Sequence, residues 1–362
     1  MIDSTENRMT PIDGWIWISW EAHRRTESVC HELGIPLFVN TVSLPGLLRY
    51  MKLSLWTVSV VARIRPRGVV TQNPSIVLTL LAALLRPIFR FYLVVDAHNE
   101  AVTPFIWASG WMKALCRFLH RVADMTIVTN ASLAEIIQEN GGRPFILEDK
   151  IPNLSPRHRV QLAGRANVVC ISTFAKDEPI QEIISAVAGL GPDCAVYMTG
   201  NHKRWLSQCI SRLSLPANLK LTGFLSDDDY QGLLQSADVV LDLTLMDNCL
   251  VCGAYEGVAL GKPLVLSASV ASKMYFSKGA IHTSNHAGAI RLAIEKAIEE
   301  KEVLSVDIIK LRGELDDRWQ DKKWRLLQIL GALGAKERSR LARQQVLEPG
   351  THDASIVRKD LY

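Results

Sequence analysis

Four short segments in the second half of this sequence combine residue types that handle a phosphorylated ligand. Ser172-Thr173-Phe174-Ala175-Lys176-Asp177-Glu178-Pro179 joins a β-branched apolar run to a helical pattern. Thr199-Gly200-Asn201 and Thr222-Gly223-Phe224 each close a short apolar run, with a glycine small enough for close backbone approach. Gly253-Ala254-Tyr255-Glu256-Gly257 opens a helix with small residues, which leaves through Gly261-Lys262-Pro263. A carboxylate one turn into a helix, as at Glu256, can accept both hydroxyls of a ribose, and the N–H groups of the preceding turn can face a diphosphate. In the first half, Asp96-Ala97-His98-Asn99-Glu100 leaves a strand as a polar cluster. His98, Asp96 and Glu100 have the chemistry for acid–base work, while Asp96 alone would also serve as a cap for the next segment. His23-Arg24-Arg25 follows the first strand in the same way and suits an acceptor or a phosphate, or an ordinary helix start.

Two other clusters have plainer readings. Asp227-Asp228-Asp229 has the look of a metal-binding run, but Ser226 precedes it and a helical pattern follows, which reads as a capping box with an acidic first turn. Cys249-Leu250-Val251-Cys252 has no second cysteine pair and no histidine at zinc spacing nearby. No G-x-G-x-x-G follows the first strand of either half and no G-x-x-x-x-G-K-[ST] occurs, which speaks against dinucleotide oxidoreductases and P-loop enzymes. Neither a metal nor a cofactor is expected.

Alternating strand and helix patterns must position these segments. Strands are expected at Trp15–Trp20, Pro36–Val39, Gly68–Thr71, Phe91–Val95, Met125–Val128 and Phe145–Leu147. Helices are expected at Arg24–Leu33, from Ser75, at Thr103–Val122 and at Leu133–Glu139. The pattern breaks at IPNLSPRHRVQLAGRAN, rich in proline and basic residues, then restarts at Val168 with strands at Val168–Ser172, Ala195–Met198, Leu219–Leu221, Val239–Leu243 and Pro263–Ser267. Such alternation implies parallel sheets, with ligands beyond the carboxyl ends of the strands. The organisation read from this is a first α/β domain over 1–152, a linker over 153–166 and a second α/β domain over 167–315. An amphipathic helix with Trp319 and Trp324 follows over 316–335, then a disordered tail over 336–362.

At roughly 150 residues per domain, 362 residues suit two domains. A chain 48% hydrophobic and 22% charged is globular, and a net charge of +4 is too mild to indicate a nucleic-acid partner. Seven scattered cysteines and a polar, acidic start point to a cytoplasmic protein without a signal peptide. The most apolar stretch, IVLTLLAALL, ends at Arg86-Pro87, well short of the ~18 residues of a membrane span. Ten basic and two acidic residues between Leu33 and Arg121 give that region +8, so peripheral contact with an anionic membrane is expected.

The segments quoted above resemble those of GT-B glycosyltransferases of the group 1 (family 4) type, most of all bacterial polysaccharide-assembly members with a Thr-Gly-Phe turn and a Gly-Ala-Tyr-Glu helix. The resemblance spans about 15–335 and is most specific over 170–283, with Trp20-Glu21-Ala22-His23-Arg24-Arg25-Thr26 and Asp96-Ala97-His98-Asn99-Glu100 as looser signatures. It implies two Rossmann-like domains facing a cleft, acceptor on the first and nucleotide sugar on the second, with the last helix crossing back. Glu256 matches the second of two glutamates eight positions apart and would bind the ribose, while the first falls at Asn248, beside Asp247. Thr173, Lys176, Gly200, Asn201, Gly223 and Phe224 would complete the donor site, with Lys203 and Arg204 as further cations. Catalysis would fall to His98, Asp96 or Glu100 and acceptor contact to His23, Arg24 and Arg25. The implied activity is sugar transfer from a nucleotide diphosphate to a lipid-linked glycan acceptor in exopolysaccharide or cell-surface polysaccharide assembly. A degenerate binding protein of the same fold and a sugar-nucleotide epimerase are the alternatives.

Overall fold

Trp15–Ser19 (β1), Gly68–Asn73 (β3) and Met125–Val128 (β5) are buried along their whole length. Apolar runs without alternation belong in a parallel sheet covered by helices on both faces. The computed structural model describes residues 12–73, 75–97, 99–102, 109–203, 205 and 215–347. In the first sheet β1, β3 and β5 are joined by Leu37–Val39 (β2), Tyr92–Ala97 (β4) and Pro144–Ile146 (β6), in the order β2-β1-β3-β4-β5-β6. The second sheet contains Ala166–Cys170 (β7), Cys194–Thr199 (β8), Leu219–Gly223 (β9), Val239–Asp242 (β10), Leu264–Ser267 (β11) and Ala280–Thr283 (β12). Its order is β12-β11-β10-β7-β8-β9, and both sheets are parallel throughout.

The helix expected over Thr103–Val122 is found from Gly110, after a short helix Asn99–Val102, with 103–108 outside the described residues, and other parts of the chain differ from expectation too. Gly46–Ile64 is a helix that no sequence pattern predicts. Its inward stripe is only Leu53, Thr57 and Val61, while Leu47, Leu48, Met51 and Leu55 are exposed, so apolar residues on both faces hide the helical period. After Ser267, helices Val270–Tyr275 and Ala287–Glu299 flank β12 and complete the second sheet. The last helix runs Lys301–Leu347, beginning well before 316 and continuing past 335. Ala, Leu, Arg, Gln, Glu and Lys dominate 336–347, so helix propensity carries the chain on where apolar periodicity fades, and the rest of the expected tail lies outside the described residues.

That helix is shared by both domains. Ile308, Leu311 and Leu315 pack in the core of the second, whereas Trp319, Leu326 and Leu330 pack with Trp15 and Trp17 of the first. Residues just after β6 tie it down: Trp319 Nε1 donates to Glu148 O at 3.1 Å, and Lys322 Nζ to the Glu148 carboxylate at 2.5 and 2.7 Å. Lys323 and Lys150 both reach Glu32 on helix Arg24–Leu33. The segment 151–165 has no regular structure, yet it is strapped to helix Asp227–Ser236 through Ser155 N on Gln231, Arg157 on Asp228 and Val160 N on Ser236 Oγ.

Arg25 joins the same knot from inside. Its side chain is 4% exposed and donates to Asp96 at 3.1 Å, to Leu147 O at 3.0 Å and to Asp149. Burial alone would lower its pKa, and the charges of Asp96 and Asp149 override burial and raise it. One guanidinium thus links the helix after β1, the end of β4 and the exit from β6. Arg25→Met should destabilise the protein by about 3–5 kcal/mol in chemical denaturation, because it leaves the Asp96 carboxylate buried and unpaired. Unchanged stability would show that the knot is dispensable.

Candidate functional site

In the second sheet strand order reverses between β7 and β10, because β8 and β9 extend one way and β11 and β12 the other. Such a switch point leaves a crevice beyond the carboxyl ends of the strands, where ligands bind in open α/β sheets. A cavity of about 450 Å³ lies there. Ile171, Ser172 and Thr173 line it after β7, Thr199, Gly200 and Asn201 at the end of β8, and Gly223, Phe224 and Leu225 at the end of β9. Asp227 and Tyr230 of helix Asp227–Ser236, Glu256 of helix Cys252–Ala259 and Arg24 from the first domain complete it. Its size suits a small organic ligand.

Local sequence explains how the strand ends come so close. A Cβ at Gly200 would lie 2.0 Å from Ser172 O, and φ there is +98°, so only glycine fits. A Cβ at Gly253 would lie 2.4 Å from Ile171 Cδ1 and one at Gly257 2.4 Å from Leu264 Cδ2, so small residues let the Glu256 helix lie against the sheet. Tyr230 Oη donates to Glu256 Oε2, which fixes the carboxylate at the cavity wall. Burial raises the Glu256 pKa; the Tyr230 bond and the charge of Arg24 act the other way.

Two carboxylates already occupy backbone donors that would suit a phosphate. Glu178 accepts from Thr173 N at 2.9 Å, Phe174 N at 3.1 Å, Ser172 Oγ at 2.5 Å and Thr173 Oγ1 at 2.6 Å, holding the loop after β7 with Phe174 at a φ of +58°. Asp242, at the end of β10, accepts from Gly253 N at 2.8 Å. Burial pushes the pKa of Asp242 well above the usual carboxylate range; the Gly253 bond opposes this, and the nearby charges of Glu178, Glu256 and Asp177 add to it.

The cavity wall gathers Thr173, Gly200, Asn201, Gly223, Phe224 and Glu256 from the expected donor set. Lys176, Asp247 and Asn248 are not on it: Lys176 and Asp247 are exposed, and Asn248 O accepts from Asn130 Nδ2 of the first domain at 2.9 Å. Asp96 and Arg25, expected at the cleft, are instead buried against each other, since a guanidinium and a carboxylate out of water need a partner. Arg24, expected as an acceptor contact, lines this cavity instead, and half-buried His23 stands at the N-cap position of its helix. His98 and the side chain of Glu100 lie outside the described residues, as does Arg204.

Asp227, Asp228 and Asp229 form an acidic first turn capped by Ser226, whose Oγ accepts from Asp229 N at 3.2 Å. They pair with Arg24, Arg157 and His158 respectively. Among the described residues no group of three or more His, Cys, Asp or Glu is arranged to hold a metal, and Cys249 and Cys252 are free thiols. Sequence reasoning missed Tyr230 and Asp242. Neither belongs to a recognisable motif, and the part that Glu178 plays in its loop is set by bonds that the sequence does not reveal.

No protein-family model and no curated protein matches the chain. Solved structures do match it. HepE of Anabaena in complex with UDP is 15% identical with a TM-score of 0.67, over 88% of this chain and 99% of that one. Sucrose-phosphate synthase of Thermosynechococcus elongatus is 14% identical with a TM-score of 0.74, over 89% and 99%. A candidate UDP-N-acetylglucosamine 2-epimerase of Listeria monocytogenes is 12% identical with a TM-score of 0.58, over 95% and 100%. With its two parallel six-stranded sheets, the chain has the GT-B fold of these neighbours.

Asp242 yields a pH prediction. Its folded pKa is raised, so above the ordinary carboxylate range the unfolded chain is ionised while the folded one still holds the proton. Stability contributed by this group is therefore lost as pH rises from that range towards the folded pKa, at up to about 1.4 kcal/mol per pH unit. Asp242→Asn keeps an acceptor for Gly253 N and should raise the melting temperature near about pH 8 while changing little near about pH 4. Parallel melting curves at all pH values would contradict this.

Proposed function

We propose that this protein is a glycosyltransferase that takes a sugar from a nucleotide-diphosphate donor and passes it to a lipid-linked glycan acceptor, in the assembly of exopolysaccharide or another cell-surface polysaccharide. The observation that carries the reading is the cavity at the second sheet's switch point, where the Glu256 carboxylate lies on the wall beside the glycine strand ends and would accept from ribose hydroxyls. HepE, a neighbour in fold, is solved with UDP. Rate enhancement would come from holding two substrates in one cleft and neutralising the departing diphosphate. With Asp96 engaged by Arg25, the acid–base role falls to His98 or Glu100.

A membrane-held acceptor is supported by the first domain. Helices Gly46–Ile64, Ile76–Phe89 and Gly110–Val122 pack side by side, and none of them carries an acidic residue. They present Leu47, Leu55, Leu84, Ile88, Trp111 and Phe118 to solvent among Lys52, Arg63, Lys113 and Arg117. No helix among the described residues is long and apolar enough to cross a membrane. An apolar face ringed by cations suits peripheral docking on an anionic bilayer, with the protein on its cytoplasmic side. One observation favours a second reading, a sugar-binding protein without turnover: Glu178 and Asp242 fill backbone donors near the site, and Asn248 stands where the resembled family has a glutamate.

A panel of UDP-, GDP- and dTDP-sugars, assayed for binding and transfer, separates these readings from each other and from epimerisation. Glu256→Gln should weaken nucleotide binding by roughly 1.5–3 kcal/mol, whereas His98→Ala should keep binding and lose about 10²–10⁴ in transfer rate. Binding without transfer by the unaltered protein would favour the second reading, and normal turnover in His98→Ala would shift the base to Glu100. Vesicles provide a separate check. The protein should sediment with anionic vesicles at low salt and be released as ionic strength rises, since charge is screened over about 10 Å at 0.1 M. Equal sedimentation with neutral vesicles would remove the electrostatic part of the docking.

A further inference from the structure

The second domain is poorly equipped to meet a diphosphate by itself. The N–H groups of Thr173 and Phe174 are turned onto Glu178, and Gly253 N onto Asp242. Lys176 is exposed and not on the cavity wall. Among the described residues lining the cavity, the charged side chains are Asp227, Glu256 and Arg24, so its one cation comes from the first domain. Arg24 is the first residue of helix Arg24–Leu33 and reaches across the cleft to the first turn of helix Asp227–Ser236, where its Nη2 donates to Asp227 Oδ1 at 2.8 Å. Both side chains are about three-quarters exposed, 76% and 75%, so the pair is held weakly and exchanges at little cost. Arg24 is also close enough to act electrostatically on Glu256.

From this geometry we propose that Arg24 is the cation that binds the donor's diphosphate, and that Asp227 competes with the diphosphate for it. The proposal rests on the glycosyltransferase reading above and reassigns Arg24 from acceptor to donor. A planar guanidinium can grip phosphate oxygens bidentately, which a carboxylate partner at the cavity mouth only rehearses. Because the arginine belongs to the opposite domain, the diphosphate would be held between the two domains. The sugar would therefore be held for transfer only when the acceptor domain is in place.

Calorimetry with UDP, GDP and dTDP, each against its nucleoside, tests this. For the diphosphate that binds best, Arg24→Ala should cost about tenfold or more in affinity, with nucleoside binding unchanged and Arg24→Lys recovering part of the loss. Asp227→Asn should strengthen diphosphate binding, and that gain should vanish in the Arg24→Ala background, because the two residues act as a pair. Unchanged diphosphate affinity in Arg24→Ala would overturn the proposal, as would a gain from Asp227→Asn that survives the loss of Arg24. Failure of the unaltered protein to bind any of the three diphosphates would instead overturn the donor reading on which the proposal rests.

Discussion

Taking Arg25 out of water constrains much of what surrounds it. A guanidinium that is 4% exposed is tolerable only if charge and geometry around it are complete, and Asp96, Asp149 and Leu147 O complete them. Those partners belong to β4 and to the exit from β6, so helix Arg24–Leu33 is held in one rotational setting against the first sheet. Successive residues on a helix point about 100° apart. With Arg25 turned inward, Arg24 is turned out over the cleft, and the reach to Asp227 follows from that setting. The same segment after β6 anchors Trp319 and Lys322 of the long last helix. A single buried charge thereby sets both the wall of the site and the junction between domains.

In the second domain, two carboxyl groups have a structural role. Glu178 closes the loop after β7 upon itself and Asp242 pins the start of the helix that carries Glu256. Each carboxylate sits where free backbone N–H groups would otherwise await an anion. The loop geometry is thus set in advance, with Phe174 kept at positive φ by the contacts of its neighbours. The domain gains a preorganised crevice and gives up part of its own attraction for phosphate, which makes the cation on the facing domain count for more.

Much of this fold was legible because its strands are apolar runs ended by punctuation. Met125–Val128 and Arg24–Leu33 have the bounds that their patterns predict, and Gly200 and Gly223 mark strand ends where φ is positive. The helix Gly46–Ile64 was illegible for the reason that makes it interesting: its solvent face is apolar, so burial and periodicity part company. At the site, residues on the backbone turns were readable from type and spacing. Tyr230 and Asp242 were not, because a hydroxyl or carboxylate acquires its meaning from a partner distant in sequence, and pairings such as Tyr230 with Glu256 are tertiary facts. Arg24 and Arg25 carry the same side chain, and only packing decides which one is spent inside.

The long last helix also bears on how the cleft can move. The chain passes between domains twice, once along the strapped segment after Ile151 and once along Lys301–Leu347, whose apolar residues are seated in both cores. A body joined at one point swivels freely, whereas one joined along two struts retains mainly a rotation about the line between them. Two struts of this kind favour a door's motion over a tether's, with Glu148 and Trp319 on the side where the struts meet the first domain. Opening the cleft has to part the pairs that cross it, Asn130 with Asn248 O and Arg24 with Asp227.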